Sequence, residues 1–146
     1  MHMDSLIKKL ARLEPYFFYL LVIVNAVPVL SFQFFLTVDG PAHIYNSNLL
    51  AELFWNADSP LFNYFKFNDT LTPNWTGHFL LSMLVTFLPG FIAEKIVLLF
   101  YVVGLPLSIR FLFKRIRISN QFIIYLIFPF TYSYLFYYGF INFNIG

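Results

Sequence analysis

Apolar and polar positions along this chain fall into long blocks rather than short alternations. Leu6, Ile7, Leu10 and Leu13 recur at helical spacing opposite Lys8, Lys9 and Arg12. That pattern predicts an amphipathic helix over residues 1–15, resting on the cytoplasmic face of a membrane. Tyr16 to Val38 then supplies 23 residues without an Asp, Glu, Lys, Arg or His, and about 20 apolar residues suffice for a helix to cross the hydrocarbon core. The expected first span is therefore 16–38, with Pro15 suited to its first turn. A signal peptide, with its apolar region of about 7–15 residues and small-residue cleavage site, does not fit. Asn25, Ser31 and Gln33 lie inside the span and need partners away from water, so this helix is expected to pack against others.

From 39 to 90 the apolar blocks shorten. Ala42, Tyr45, Leu49 and Leu53 at spacings of three and four predict a short surface helix, and "NADSPLFNYFKFNDTLTPNW" mixes turn formers with aromatics, as an irregular loop does. Thr76 to Leu88 offers only 13 apolar-rich residues before Pro89-Gly90, a second surface helix too short to cross. Residues 91–113 make a second span, with Lys95 and Arg110 near opposite ends where they can snorkel and Gly104 and Pro106 softening the middle. A third span is expected over 122–141, strongly aromatic towards its end. On this plan seven of the nine basic residues stand at the same ends of the spans. The positive-inside rule puts those ends, and the amino terminus, in the cytoplasm. Residues 39–90, with Asp39, Glu52, Asp58 and Asp69, form an outer loop.

Composition agrees with a bilayer setting. The chain is 60% hydrophobic and 11% charged, against about 25% charged residues in an ordinary soluble domain. A net charge of +2 offers nothing for nucleic acid, and the absence of cysteine excludes disulfides and thiolate metal sites. The expected fold class is all-α: a polytopic integral membrane protein of the cell (inner) membrane, with about three transmembrane helices plus surface helices. Its polar groups and kinks within the spans call for neighbours, so the chain is expected to be part of a larger helical bundle.

Chemistry is expected in the outer loop. Asp39, the first acid after Glu14, is followed by Gly40-Pro41. It reads either as a helix N-cap, since Asp accepts free first-turn amides, or as a reactive carboxylate. His43 and His78 read as interfacial histidines or substrate contacts, and the two with Asp39 offer a zinc site. Asn142, among aromatics, reads as part of an interfacial belt or as a sugar-facing donor and acceptor. Glu94 reads as a partner for headgroups or another helix, and Lys95 as a snorkelling anchor.

The order of these features resembles the amino-terminal portion of the GT-C superfamily of membrane glycosyltransferases. A first span leads directly to Asp39, then come a surface helix, an irregular loop, a second short helix and a span entered through "AEKI". The resemblance implies a sugar donor on a polyprenyl phosphate, an acceptor on the outer side, and Asp39 as the base on the acceptor hydroxyl or as a ligand to a divalent metal. It implies that Lys95 meets the lipid phosphate and that His78 stands near a position where members carry Lys, Glu or His. Many members follow the catalytic Asp with a second acid. Here Gly40 follows, which weighs against a metal between adjacent carboxylates. The competing class is a non-catalytic polytopic subunit or a transporter segment, for which a charge near the middle of a span would be the sign; the sequence has none there.

Overall fold

The computed structural model describes residues 2–35, 37–68, 75–118 and 120–145. Helix α1 (His2–Ser31) leads to α2 (Gly40–Trp55), a 3-10 turn (Pro60–Asn63), α3 (Thr76–Val85) and α4 (Gly90–Arg115). A second 3-10 segment (Gln121–Ile127) and three short helices, α5 (Phe128–Thr131), α6 (Tyr134–Tyr138) and α7 (Ile141–Ile145), follow. Among the described residues there is no strand, so the fold is all-helical. Two helices, α1 and α4, are long and apolar enough to cross a membrane, and only 28% of each apolar window is buried inside the protein. Their exposed faces carry Leu20, Ile23, Val27 and Leu30 on α1 and Phe100, Leu107 and Phe111 on α4, a surface suited to lipid.

The predicted surface helix 1–15 and the first span meet without a break in α1, which runs straight through Pro15 and Pro28. The helix ends at Ser31, short of the expected Val38. Ser31 Oγ donates to Val27 O at 2.7 Å, satisfying one carbonyl of the last turn. Beyond the helix, the N–H groups of Val38 and Asp39 donate to the carbonyls of Tyr137 and Tyr138, both at 3.0 Å. These bonds fix the turn into α2.

α1 and α4 pack together and run antiparallel, because Glu14 early in α1 meets Arg110 late in α4. Two N–H···O bonds of 2.8 Å join guanidinium and carboxylate in a fork, with side-chain exposures of 4% for Arg110 and 7% for Glu14. Tyr125 Oη donates to Glu14 Oε1 at 3.0 Å, and Arg110 Cζ stacks 4.2 Å from the centroid of the Phe18 ring. Above this clasp, Phe18, Val22 and Ile124 form one apolar cluster, and Val29, Leu98, Val102 and Phe136 form a second. Leu81, Ala93, Val97 and Ile141 seat α3 and α7 on the far end of α4.

The third spanning helix expected over 122–141 is not formed. The segment follows α1 from the Glu14 end, where Tyr125 binds, to the Asp39 end, where Tyr137 and Tyr138 bind, but as separate short pieces. Three local devices break it. Pro129 lacks an N–H. Ser133 caps α6, its Oγ accepting from Phe136 N at 3.3 Å. Gly139, at φ +81°, ends α6 in a Schellman turn, with Phe140 N bonded to Leu135 O and Gly139 N to Phe136 O. The freed polar groups find partners across the bundle. Asn25 Nδ2 of α1 donates to Thr131 Oγ1 at 3.0 Å, and Thr131 Oγ1 donates to Phe128 O at 2.7 Å, giving the expected polar residue of the first span its neighbour.

The clasp makes a testable demand. Arg110→Met leaves Glu14 buried without its cation and is expected to cost about 3–5 kcal/mol, whereas Glu14→Leu combined with Arg110→Met should recover most of that loss. Unfolding free energies of the four proteins in a bilayer mimic check this as a double-mutant cycle. Additive losses would show that the two side chains do not act as a pair.

Candidate functional site

Asp39 stands immediately before α2, where an N-cap would be, but it does not cap. Its backbone, φ −95° and ψ −4°, is helical rather than extended as at most caps, and its side chain makes no capping bond. Pro41, at the second helical position, has no N–H to offer. The backbone is held on both sides nonetheless. Asp39 N donates to Tyr138 O at 3.0 Å, and Asp39 O accepts from His43 N at 3.0 Å. A half-buried carboxylate is thus carried on a fixed backbone with its capping capacity unspent.

Beneath this turn lies a second carboxylate that sequence reasoning left as a partner for headgroups or another helix. Glu94, in the first turns of α4, is 6% exposed, and its Oε1 accepts from Thr37 Oγ1 at 3.4 Å. A methyl group added to Gly40 would overlap Glu94 Oε1 and stand 2.5 Å from Thr37 Oγ1. The space that a side chain at position 40 would need is therefore filled by an acid from another helix. Gly139 closes the same knot, since a Cβ there would lie 2.8 Å from Thr37 Oγ1 and 3.2 Å from Gly40 N. The legible signal was the glycine after Asp39, whose reason is space.

The two histidines meet. Their ring centroids are 4.8 Å apart at 52°, His43 from α2 and His78 from the first turn of α3. Ser47 Oγ reinforces the crossing by donating to His78 O at 3.5 Å. Burial, and then the neighbouring His43, lower the His78 pKa from the ordinary imidazole value, so His78 is neutral near pH 7. Its Nδ1 is buried with no hydrogen-bond partner.

Asn142 serves α3 directly: its Oδ1 accepts from Gly77 N at 2.6 Å, satisfying a first-turn amide that the helix cannot. Lys95 is half-buried beside Glu94 in sequence, and among the described residues no hydrogen bond or ion pair engages it. The structure thus brings Glu94 against Thr37 and Gly40, the residue after Asp39, His43 against His78, and Asn142 onto α3, and among the described residues it leaves Lys95 without a partner. Among the described residues no three His, Asp or Glu side chains surround a common point, so Asp39 does not join the histidine pair in one cluster. Comparison with family models, curated proteins and solved structures gives no match for this chain.

The contact of Gly40 with Glu94 generates a prediction. Gly40→Ala should destabilise the protein by about 1–3 kcal/mol through overpacking, and Glu94→Ala in the same chain should restore most of the loss by vacating the space. Thermal unfolding of both variants measures this. Equal stability of Gly40→Ala and the parent would show that Glu94 does not occupy that space.

Proposed function

We propose that this chain is the amino-terminal part of a GT-C type membrane glycosyltransferase. It moves a sugar from a polyprenyl-phosphate donor to a hydroxyl acceptor on the outer side of the membrane. Residues 39–90 face outward, while the amino terminus and residues 114–117 are cytoplasmic. The observation that carries this reading is Asp39 itself, a carboxylate fixed by its backbone on both sides and not consumed as a helix cap. Ionised, and within hydrogen-bond reach of an acceptor hydroxyl, it takes the proton as that oxygen attacks the anomeric carbon. The bond from that carbon to the phosphate oxygen breaks, and the lipid phosphate leaves with the electron pair.

Two further observations support the reading. A groove of about 310 Å³ between α3 and α4 is lined entirely by Leu80, Met83, Leu84, Ile96, Val97 and Phe100, a course suited to an isoprenoid tail. Lys95 stands next to Ile96 on α4 with its charge uncommitted, available to a lipid phosphate as a point charge. The buried ion pair of Glu14 with Arg110, the one ion pair among the described residues, is held by its fork geometry and by Tyr125. It is a clasp rather than a step in a transport pathway.

Because Asp39 makes no capping bond, the usual capping loss of about 0.5–2 kcal/mol is not expected on replacing it. Asp39→Asn and Asp39→Ala should both insert and accumulate as the parent does. In the full-length protein both should lose about 10²–10⁴-fold in sugar transfer, the usual worth of a general base, whereas this amino-terminal part alone is expected to be inactive. Transfer is read as radiolabelled sugar moved from a polyprenyl-phosphate donor in membranes. Near-parent activity in Asp39→Asn would remove Asp39 from the chemistry.

A further inference from the structure

Beside the histidine pair a cleft of about 380 Å³ opens between α2, residues 65–68 and the start of α3. Small-molecule sites commonly have about 300–1,000 Å³ and combine an apolar lining with a few placed polar groups. Here Leu49, Leu50 and Leu53 of α2, with Phe65 and Phe67, form the apolar lining, and Asn46, Lys66 and His78 supply the polar groups. Their order along α2 is informative. Asp39, His43, Asn46, Leu50 and Leu53 follow one another at spacings of four and three, which places them on one stripe of the helix. The stripe therefore starts at the carboxylate, passes the histidine pair, enters the cleft at Asn46 and ends on leucines. About 10 Å of helix rise separates Asp39 from Asn46, a distance that a headgroup covers and a lone hydroxyl does not.

We propose that this cleft holds the acceptor, an uncharged amphiphile with a sugar headgroup, its tail against Leu50 and Leu53 and its headgroup running past Asn46 and His78 towards Asp39. The proposal rests on the glycosyltransferase reading for the word acceptor and on the cleft alone for the ligand class. The chemistry of the lining favours a glycoside over an anion. Phosphate recognition uses a planar guanidinium or several converging N–H donors, whereas among the described lining residues the only cation is the exposed Lys66. The Asn46 amide offers a donor and an acceptor side by side, as paired sugar hydroxyls require, and the neutral His78 ring, its Nδ1 buried, offers one further polar atom, Nε2. The rings of Phe65 and Phe67 suit the apolar face of a sugar.

Trp75 lines the same cleft and the chain has two tryptophans, so Trp55→Phe, at an exposed position, leaves Trp75 as a sole fluorescent reporter. This protein, in lipid nanodiscs and without donor, is titrated with hexyl β-glucoside, and in parallel with hexanol and hexyl phosphate. The expected result is a saturable Trp75 response to hexyl β-glucoside alone. Asn46→Ala, which favours the helix it sits in, should weaken it roughly fivefold, the worth of one net hydrogen bond. A linear response matching that of hexanol would overturn the site, and saturation by hexyl phosphate but not by the glucoside would overturn the ligand class. Because no donor is present, the titration is independent of turnover. Saturable glucoside binding by the parent chain, together with no sugar transfer by the full-length protein that contains it, would support the glycoside cleft and overturn the glycosyltransferase reading.

Discussion

The forked pairing of Glu14 with Arg110 is the constraint on which the remaining architecture hangs. A carboxylate and a guanidinium taken out of water together must meet in good geometry and satisfy their remaining polar atoms. Here the fork and Tyr125 serve the carboxylate and the Phe18 ring covers the guanidinium face, while Arg110 Nε stays buried without a hydrogen-bond partner. With these partners fixed, the start of α1 and the end of α4 lie at the same end of the bundle, and the two long helices can only be antiparallel. Everything between them in sequence, α2, the irregular loop and α3, is then delivered to the opposite end. The polar site follows from a clasp at the other end of the molecule.

At that opposite end the constraint is close approach. Thr37, Gly40, Glu94 and Gly139 come together so tightly that neither glycine tolerates a Cβ in place. The turn of Val38 and Asp39 is tied to the carbonyls of Tyr137 and Tyr138 of α6, and the next residue, Gly40, packs on Glu94 of α4. The Asp39 carboxylate therefore has little backbone freedom, and in the reading proposed here that is its value. A general base works by being within hydrogen-bond reach of one proton, which is first a matter of position.

Much of the fold was legible in the sequence because periodicity and punctuation agreed there. Pro41 and the spacing from Ala42 to Leu53 foretold α2, and Pro89-Gly90 and the basic run after Phe113 bracketed α4. The last residues of the first apolar block misled. Hydropathy records only that the stretch to Val38 is mostly apolar; the helix ends at Ser31, and the N–H groups of Val38 and Asp39 bond to the carbonyls of Tyr137 and Tyr138. The aromatic run after Phe122 misled for a similar reason. Its hydropathy suits a span, yet Pro129, the Ser133 cap and Gly139 divide it, and the freed groups are satisfied by Asn25 and by the turn into α2. Glu94 was the buried neighbour that a linear reading undervalued. It lies more than fifty residues from Gly40, and only the packing of α4 under that glycine brings the acid to the turn.

The central claim is that the clasp holds two antiparallel spans, with Asp39 and its loop on the outer side and the basic end of α4 inside. The direct measurement is the accessibility of single cysteines, introduced as Asp58→Cys or Lys114→Cys into this cysteine-free chain, to a membrane-impermeant maleimide in intact cells. The account predicts labelling at position 58 and protection at position 114 until the cells are opened. Labelling of both positions in intact cells would contradict it, because the two ends of α4 would then lie on one side of the membrane.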